Sequence, residues 1–303
     1  MKLGVNLVNF GPAASPEALA RQAEDAEALG YHFVMISDHV AITPDVAARY
    51  PAPFYDPFTT LGWLAARTRR VELGTTVIVL PYRHPLETAR MAATVDRLSG
   101  GRLILGVGAG WAREEFEALG VPFHRRGAIT DDYLAALTRC FAEDVATHRG
   151  PFASFAAVAT GPRPARAPRP PIWVGGATDA ALARAVRFGD AWHPIRVRVD
   201  WLAETGLPRL AAIAAAEGRR APALCPRIRL NTTDAPWPEA ERLAGQGTLE
   251  QVRADLEGLA RLGAEYVLLD PYADAPAVDL AATRRALVAL AERVVDLERQ
   301  ALR

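Results

Sequence analysis

Short β-branched runs alternate along the whole chain with longer Ala/Leu-rich segments of helical period. This is the pattern of strands buried on both faces and of amphipathic helices packed over them. Strands are expected over 3–8, 33–37, 71–79, 102–108, 171–174, 191–195, 227–231 and 266–270. Helices are expected over 16–29, 58–69, 85–97, 126–144, 178–188, 200–217, 248–262 and 279–301. Alternation of this kind implies a parallel sheet with right-handed crossovers, and eight units favour closure into an α/β fold of the (β/α)8 TIM-barrel type. Ser15-Pro16 supplies a cap and an N1 proline to the first helix, Gly30 ends it, and Thr248 with Gln251 resembles a capping box. Two stretches break the pattern, 40–57 and the proline-dense 149–171, and both read as loops. The first follows the second strand directly, so it is an insertion expected over the C-terminal mouth of the barrel, where active-site lids sit.

The length, 303 residues, suits one barrel of about 250 residues with loop insertions. A single domain over 1–303 is therefore expected. Lys+Arg and Asp+Glu are both 35, so no net charge draws the chain to nucleic acid or an anionic membrane. No secretory pattern opens the sequence and no apolar run reaches the roughly 20 residues that span a bilayer, so the expected location is the cytoplasm. Cys140 and Cys225 are far apart and read as buried thiols. The one lysine is Lys2, ahead of the first strand, which removes Schiff-base and lysine-base chemistry.

In a barrel of this kind the reacting groups sit where strands end. The second strand ends in Ser37-Asp38-His39, placing a carboxylate beside the commonest general acid/base. The third continues as Gly74-Thr75-Thr76-Val77, the fourth ends in Gly106-Val107-Gly108-Ala109-Gly110-Trp111, and the fifth in Gly175-Gly176-Ala177. Glycines at two strand ends let backbone N–H groups approach an anion, which suits a phosphate-bearing ligand. The fourth-strand segment fails as a G-x-G-x-x-G dinucleotide fingerprint because Trp111 takes the third glycine's place. His32, His84, His124 and His148 look ordinary, while His193 is placed to face the mouth. No HxH or HExxH grouping is present, so no metal is expected.

Ser37-Asp38-His39, LGTTVIVLPYRHP (73–85), ATVDRLSGGRLILGVGAGWAREEFEALGVPF (93–123) and PPIWVGGATDAALARAVRFGDAWHP (170–194) together resemble the luciferase-like monooxygenase superfamily. Within it the chain is most similar to the F420-dependent oxidoreductases, closely over 1–195 and more loosely over 245–272. The resemblance implies hydride transfer with coenzyme F420, a cofactor contact for Asp38 and an acid/base role for His39. It implies a non-prolyl cis peptide at Thr76–Val77, forming a bulge behind the tricyclic ring. Gly108, Ala109, Gly110 and Trp111 match a segment lining the ring and tail, and Gly175, Gly176 and Ala177 match the tail-phosphate loop. Homodimers are common among similar proteins, so a homodimer is expected.

The chain departs from one part of the family. Similar sugar-phosphate dehydrogenases carry a Glu where Trp111 stands and grip the substrate phosphate with a Lys that is missing here. An aromatic or apolar small-molecule substrate is the expectation instead, with Trp111, Phe54, Tyr55, Tyr82 and Trp192 as candidate walls. Arg49, Arg83, Arg113 and Arg196 are candidate partners for the carboxylates of an F420 tail. An FMN-dependent monooxygenase, or a deazaflavin-binding protein without turnover, are the alternatives.

Overall fold

The computed structural model describes residues 1–272 and 278–303. Eight parallel strands make the barrel: β1 (Lys2–Asn6), β2 (Phe33–Ile36), β3 (Glu72–Thr75), β4 (Leu103–Gly108), β5 (Ile172–Gly175), β6 (Ala191–His193), β7 in two pieces (Ala223–Leu224 and Arg227–Arg229) and β8 (Tyr266–Asp270). Neighbours in this order pair with one another, and β1 also pairs with β8, Gly4 lying opposite both Phe33 and Leu268. The two pieces of β7 close the ring, the first on β6 and the second on β8. They are separated at Pro226, which has no N–H to give to a ladder.

Side chains alternate across each strand, and the two faces fill differently. Val34 and Ile36 enter the apolar layer between sheet and helices, while Phe33 and Met35 point into the barrel beside Ile104, Trp173 and Leu268. Phe33, Trp173 and Tyr266 meet edge to face at 5.0 to 5.7 Å, near the N-terminal ends of their strands. They form a packed floor. Strands approach one another closely above it: a Cβ on Gly106 of β4 would lie 1.9 Å from the Thr75 carbonyl oxygen. Polar groups take the other end, where Asp270 of β8 accepts from Asn6 and from Arg227.

The helices begin and end where the sequence signals them. The Ser15 side chain caps Pro16–Leu29, Gly30 ends it at φ 92°, and Thr248 with Gln251 forms a reciprocal capping box on Leu249–Arg261. Several stretches differ from expectation, among them the helix Arg113–Ala118, which was not expected. The supposed loop 149–171 includes part of an antiparallel hairpin, Val145–Arg149 with Ser154–Ala159, because the prolines cluster only from Pro162 onward. The insertion 40–57 contains a short helix, Pro44–Ala47. The last helix stops at Arg293, after which Val295–Asp296 pairs with Ala301–Leu302. Among the described residues no helix is long and apolar enough to cross a membrane, and no group of three or more His, Cys, Asp or Glu is placed to hold a metal ion.

Candidate active site

The floor of aromatic rings leaves a cavity of about 550 Å³ at the C-terminal end of the barrel. Asp38 and His39 reach it from the end of β2, Thr76 and Val77 from the end of β3, Gly108 to Trp111 from β4 and Gly175 to Ala177 from β5. The strand-end residues expected from the sequence therefore line one space. His193, Arg227, Tyr50, Arg126 and Arg184 line it as well. The Thr76–Val77 peptide is cis. Its carbonyl, on Thr76, accepts from Arg227 Nη1 at 2.9 Å, and the Thr76 hydroxyl lies 2.9 Å from His193 Nε2.

His39 is almost wholly buried, and its Nδ1 lies 2.6 Å from Oε2 of Glu115. Glu115 is fully buried and saturated: the Tyr82 hydroxyl donates to Oε2 at 2.8 Å, and the backbone N–H groups of Val40 and Ala41 donate to Oε1 at 2.6 and 3.0 Å. Burial raises the pKa of this carboxyl, but the bonds from His39, Tyr82 and Val40 outweigh it and bring it below the usual carboxylate range. Sequence reasoning missed Glu115. The available signal was its place just beyond the glycine segment of β4, in the βα loop that also carries Trp111.

Asp38 is committed to the protein. Arg83 donates to both its oxygens, at 2.7 and 2.8 Å, and Val79 N–H to one of them at 2.9 Å, so the carboxylate ties the segment after the bulge to β2. Around the imidazole of His39 stand Tyr50 at 5.3 Å, Phe54 at 5.4 Å and Trp111 at 5.6 Å between ring centres. Of the expected aromatic walls, Trp111 lines the cavity; Phe54 backs His39, Tyr82 holds Glu115, and Trp192 donates its indole N–H to the Gly176 carbonyl at 2.7 Å. Tyr55 packs against the main core. Tyr50, unforeseen, is the second aromatic wall.

The far side of the cavity is suited to an anion. Gly176, at φ 106°, lines this side with Ala177 and Thr178, at the N-terminal end of the helix Asp179–Phe188, the kind of end that favours negative charge. Arg184 there is paired with Asp131 at 2.6 Å. Arg126 lies over the Phe123 ring at 4.0 Å and donates to the Phe123 carbonyl, with no carboxylate partner among the described residues. The arginines expected from the sequence are placed otherwise: Arg83 is held by Asp38, Arg49 covers Trp111 at 4.8 Å, Arg113 covers Phe123 at 4.4 Å, and Arg196 is not among the cavity-lining residues.

Comparison with known proteins bears on the family and the fold. A protein of Mycobacterium tuberculosis with no assigned function is 30% identical over 240 residues, covering 70% of this chain and 83% of its own. The oxygenase component of a flavin-dependent trigonelline monooxygenase from Acinetobacter baylyi is 30% identical over 162 residues, 53% of this chain and 43% of that one. The solved structure of an F420-dependent secondary alcohol dehydrogenase superposes with a TM-score of 0.79 at 17% identity, covering 98% of both chains, which shows the shared fold. The sequence model of the luciferase-like monooxygenases matches residues 1–236, well over half of the length, and the chain belongs to that family.

Proposed function

We propose that the protein transfers a hydride between coenzyme F420 and a small apolar or aromatic organic substrate, with His39 as the acid/base. The observation that carries this reading is the cavity itself, which joins a histidine clamped on a buried carboxylate, an apolar wall and an anion-binding end. The residues present fit a flat ring with a phosphate-bearing tail. A Cβ on Gly108 or Gly175 would come within 2.7 or 3.2 Å of the Val77 side chain, so bare backbone at both positions leaves a shelf around Val77 open to a planar group. Gly176, Ala177, the first N–H groups of Asp179–Phe188 and Arg126 would hold the tail.

The bound deazaflavin supplies the two-electron carrier. The chain supplies the rest. Trp111 and Tyr50 give the side of the cavity nearest His39 an apolar wall for the substrate. His39 takes a proton from the substrate hydroxyl as it is oxidised, or returns one to the oxygen of a carbonyl as it is reduced. The test is turnover of reduced F420 with a panel of short ketones, aromatic aldehydes and cyclic enones, followed by loss of its reduced-state absorbance. Oxidation coupled to reduction of one of these classes is expected. Turnover only with FMN and oxygen would instead favour the monooxygenase reading, to which the similarity with the trigonelline enzyme lends weight.

A further inference from the structure

We propose that Glu115 is the positioning residue for His39: its buried carboxylate accepts the Nδ1 proton of the ring, leaving Nε2 as the atom that exchanges a proton in the cavity. The assignment rests on the reading of His39 as acid/base and deepens it.

Glu115 meets four partners, and three of them arrive as donors. Val40 and Ala41 offer backbone N–H groups to Oε1, which have no other role open to them, and the Tyr82 hydroxyl donates to Oε2. Burial beside Glu115 keeps the Tyr82 phenol protonated, its pKa pushed well above the usual value. An oxygen pair surrounded in this way is an anion. A bare ring nitrogen 2.6 Å from an anionic oxygen would set two lone pairs against each other, so Nδ1 carries hydrogen and donates it. The neutral ring then presents its lone pair at Nε2, and when a proton arrives there the new positive charge already faces a fixed carboxylate. Tyr50, Phe54 and Trp111 pack around the ring and oppose its rotation.

A purely structural acid would not need this chemistry, and glutamine separates the two roles. A glutamine at 115 keeps the size but has one acceptor oxygen for four donors, and its own N–H groups would face either the amides of Val40 and Ala41 or Nδ1 of His39.

The experiment is 15N NMR of the full-length protein labelled in histidine, at a pH where the rings are neutral, with His39→Asn identifying the His39 signals. Nitrogen shifts that place hydrogen on Nδ1 of His39 are expected. In Glu115→Gln the hydrogen should move toward Nε2, while F420 affinity, titrated on the same sample, stays within about threefold. Hydrogen on Nε2 in the unaltered protein overturns the proposal, as does an unchanged Nδ1–H form in Glu115→Gln. The unaltered spectrum decides alone if that variant fails to fold. Because the tautomer is read without cofactor or substrate, failure to turn over any substrate would strike the hydride-transfer reading and not this one.

Discussion

His39 and His193 line the same cavity and are given opposite tasks by their surroundings. The first faces a carboxylate, which suits a ring that gains and loses charge; its replacement by Ala should lower turnover by roughly 10²–10⁴ while leaving cofactor affinity within about tenfold. Steady-state rates beside a binding titration check this, and unchanged turnover would remove His39 from the mechanism. His193 is held neutral. Its Nδ1–H donates to the Cys225 carbonyl at 2.5 Å and its Nε2 accepts from the Thr76 hydroxyl at 2.9 Å. Burial lowers its pKa from 6.5 to about 4; the bond to Cys225 opposes the shift and the charge of Arg227 adds to it. The unfolded chain binds a proton near pH 6.5 that the folded ring refuses until about 4, so stability is full above that range and is lost as pH falls through it. Urea midpoints measured across the window should fall for the unaltered protein and fall less for His193→Gln; equal slopes would show that His193 does not carry the effect. The position of Asp38-His39 at a strand end was legible in the sequence because strand ends carry barrel chemistry. Glu115 was not, since its partner lies 76 residues away and two adjacent acids near a helix start read as ordinary first-turn residues.

At the next scale, the site depends on two βα loops behaving as one unit. The short helix Pro44–Ala47 and the helix Arg113–Ala118 bond to each other reciprocally, Asp45 N–H to Glu114 and Glu114 N–H to Asp45. Arg49 over Trp111 and the amides of Val40 and Ala41 on Glu115 extend the same seam. Neither helix was foreseen, because each is too short to show a helical period. The hairpin before the proline run was missed for a related reason: it stands apart from the barrel ladder, and its strands are largely exposed instead of showing an apolar run. The barrel strands, by contrast, were mostly legible, since burial on both faces favours an apolar run; the exception is β7, whose first piece Ala223–Leu224 lies outside the expected 227–231 and whose second carries the buried Arg227 and Arg229. Their spacing sets a hard limit at Gly106. Ala there would press a methyl onto the Thr75 carbonyl, which belongs to backbone and cannot swing aside. Gly106→Ala should cost about 3 kcal/mol, the upper end of what overpacking usually costs, read by chemical denaturation. A variant of unaltered stability would mean that β3 and β4 can part without cost.

Across the whole molecule the charges cancel, 35 against 35, so any preference for an anionic ligand has to be local. The fold makes it local by bringing three arginines to one cavity and neutralising two of them. Arg227 is paired with Asp270 and Arg184 with Asp131, whereas Arg126 rests on an aromatic ring and a carbonyl. A guanidinium so placed keeps donors for an incoming anion beside the N-terminus of Asp179–Phe188. Two cofactors with planar three-ring heads and ribityl phosphates compete for such a space, and the ring shelf at Val77 does not distinguish them. The difference lies in the tail: F420 continues past its phosphate to lactate and glutamate carboxylates, so it gains more from a cation without a carboxylate partner than FMN does. Fluorescence titration of the cofactor-free protein should therefore show tighter binding of F420 than of FMN, and Arg126→Ala should weaken F420 by about tenfold, the loss of one charge-assisted contact. Tighter binding of FMN would overturn the assignment in favour of a flavin-dependent monooxygenase. Unchanged F420 affinity in Arg126→Ala would move the tail to another part of the mouth.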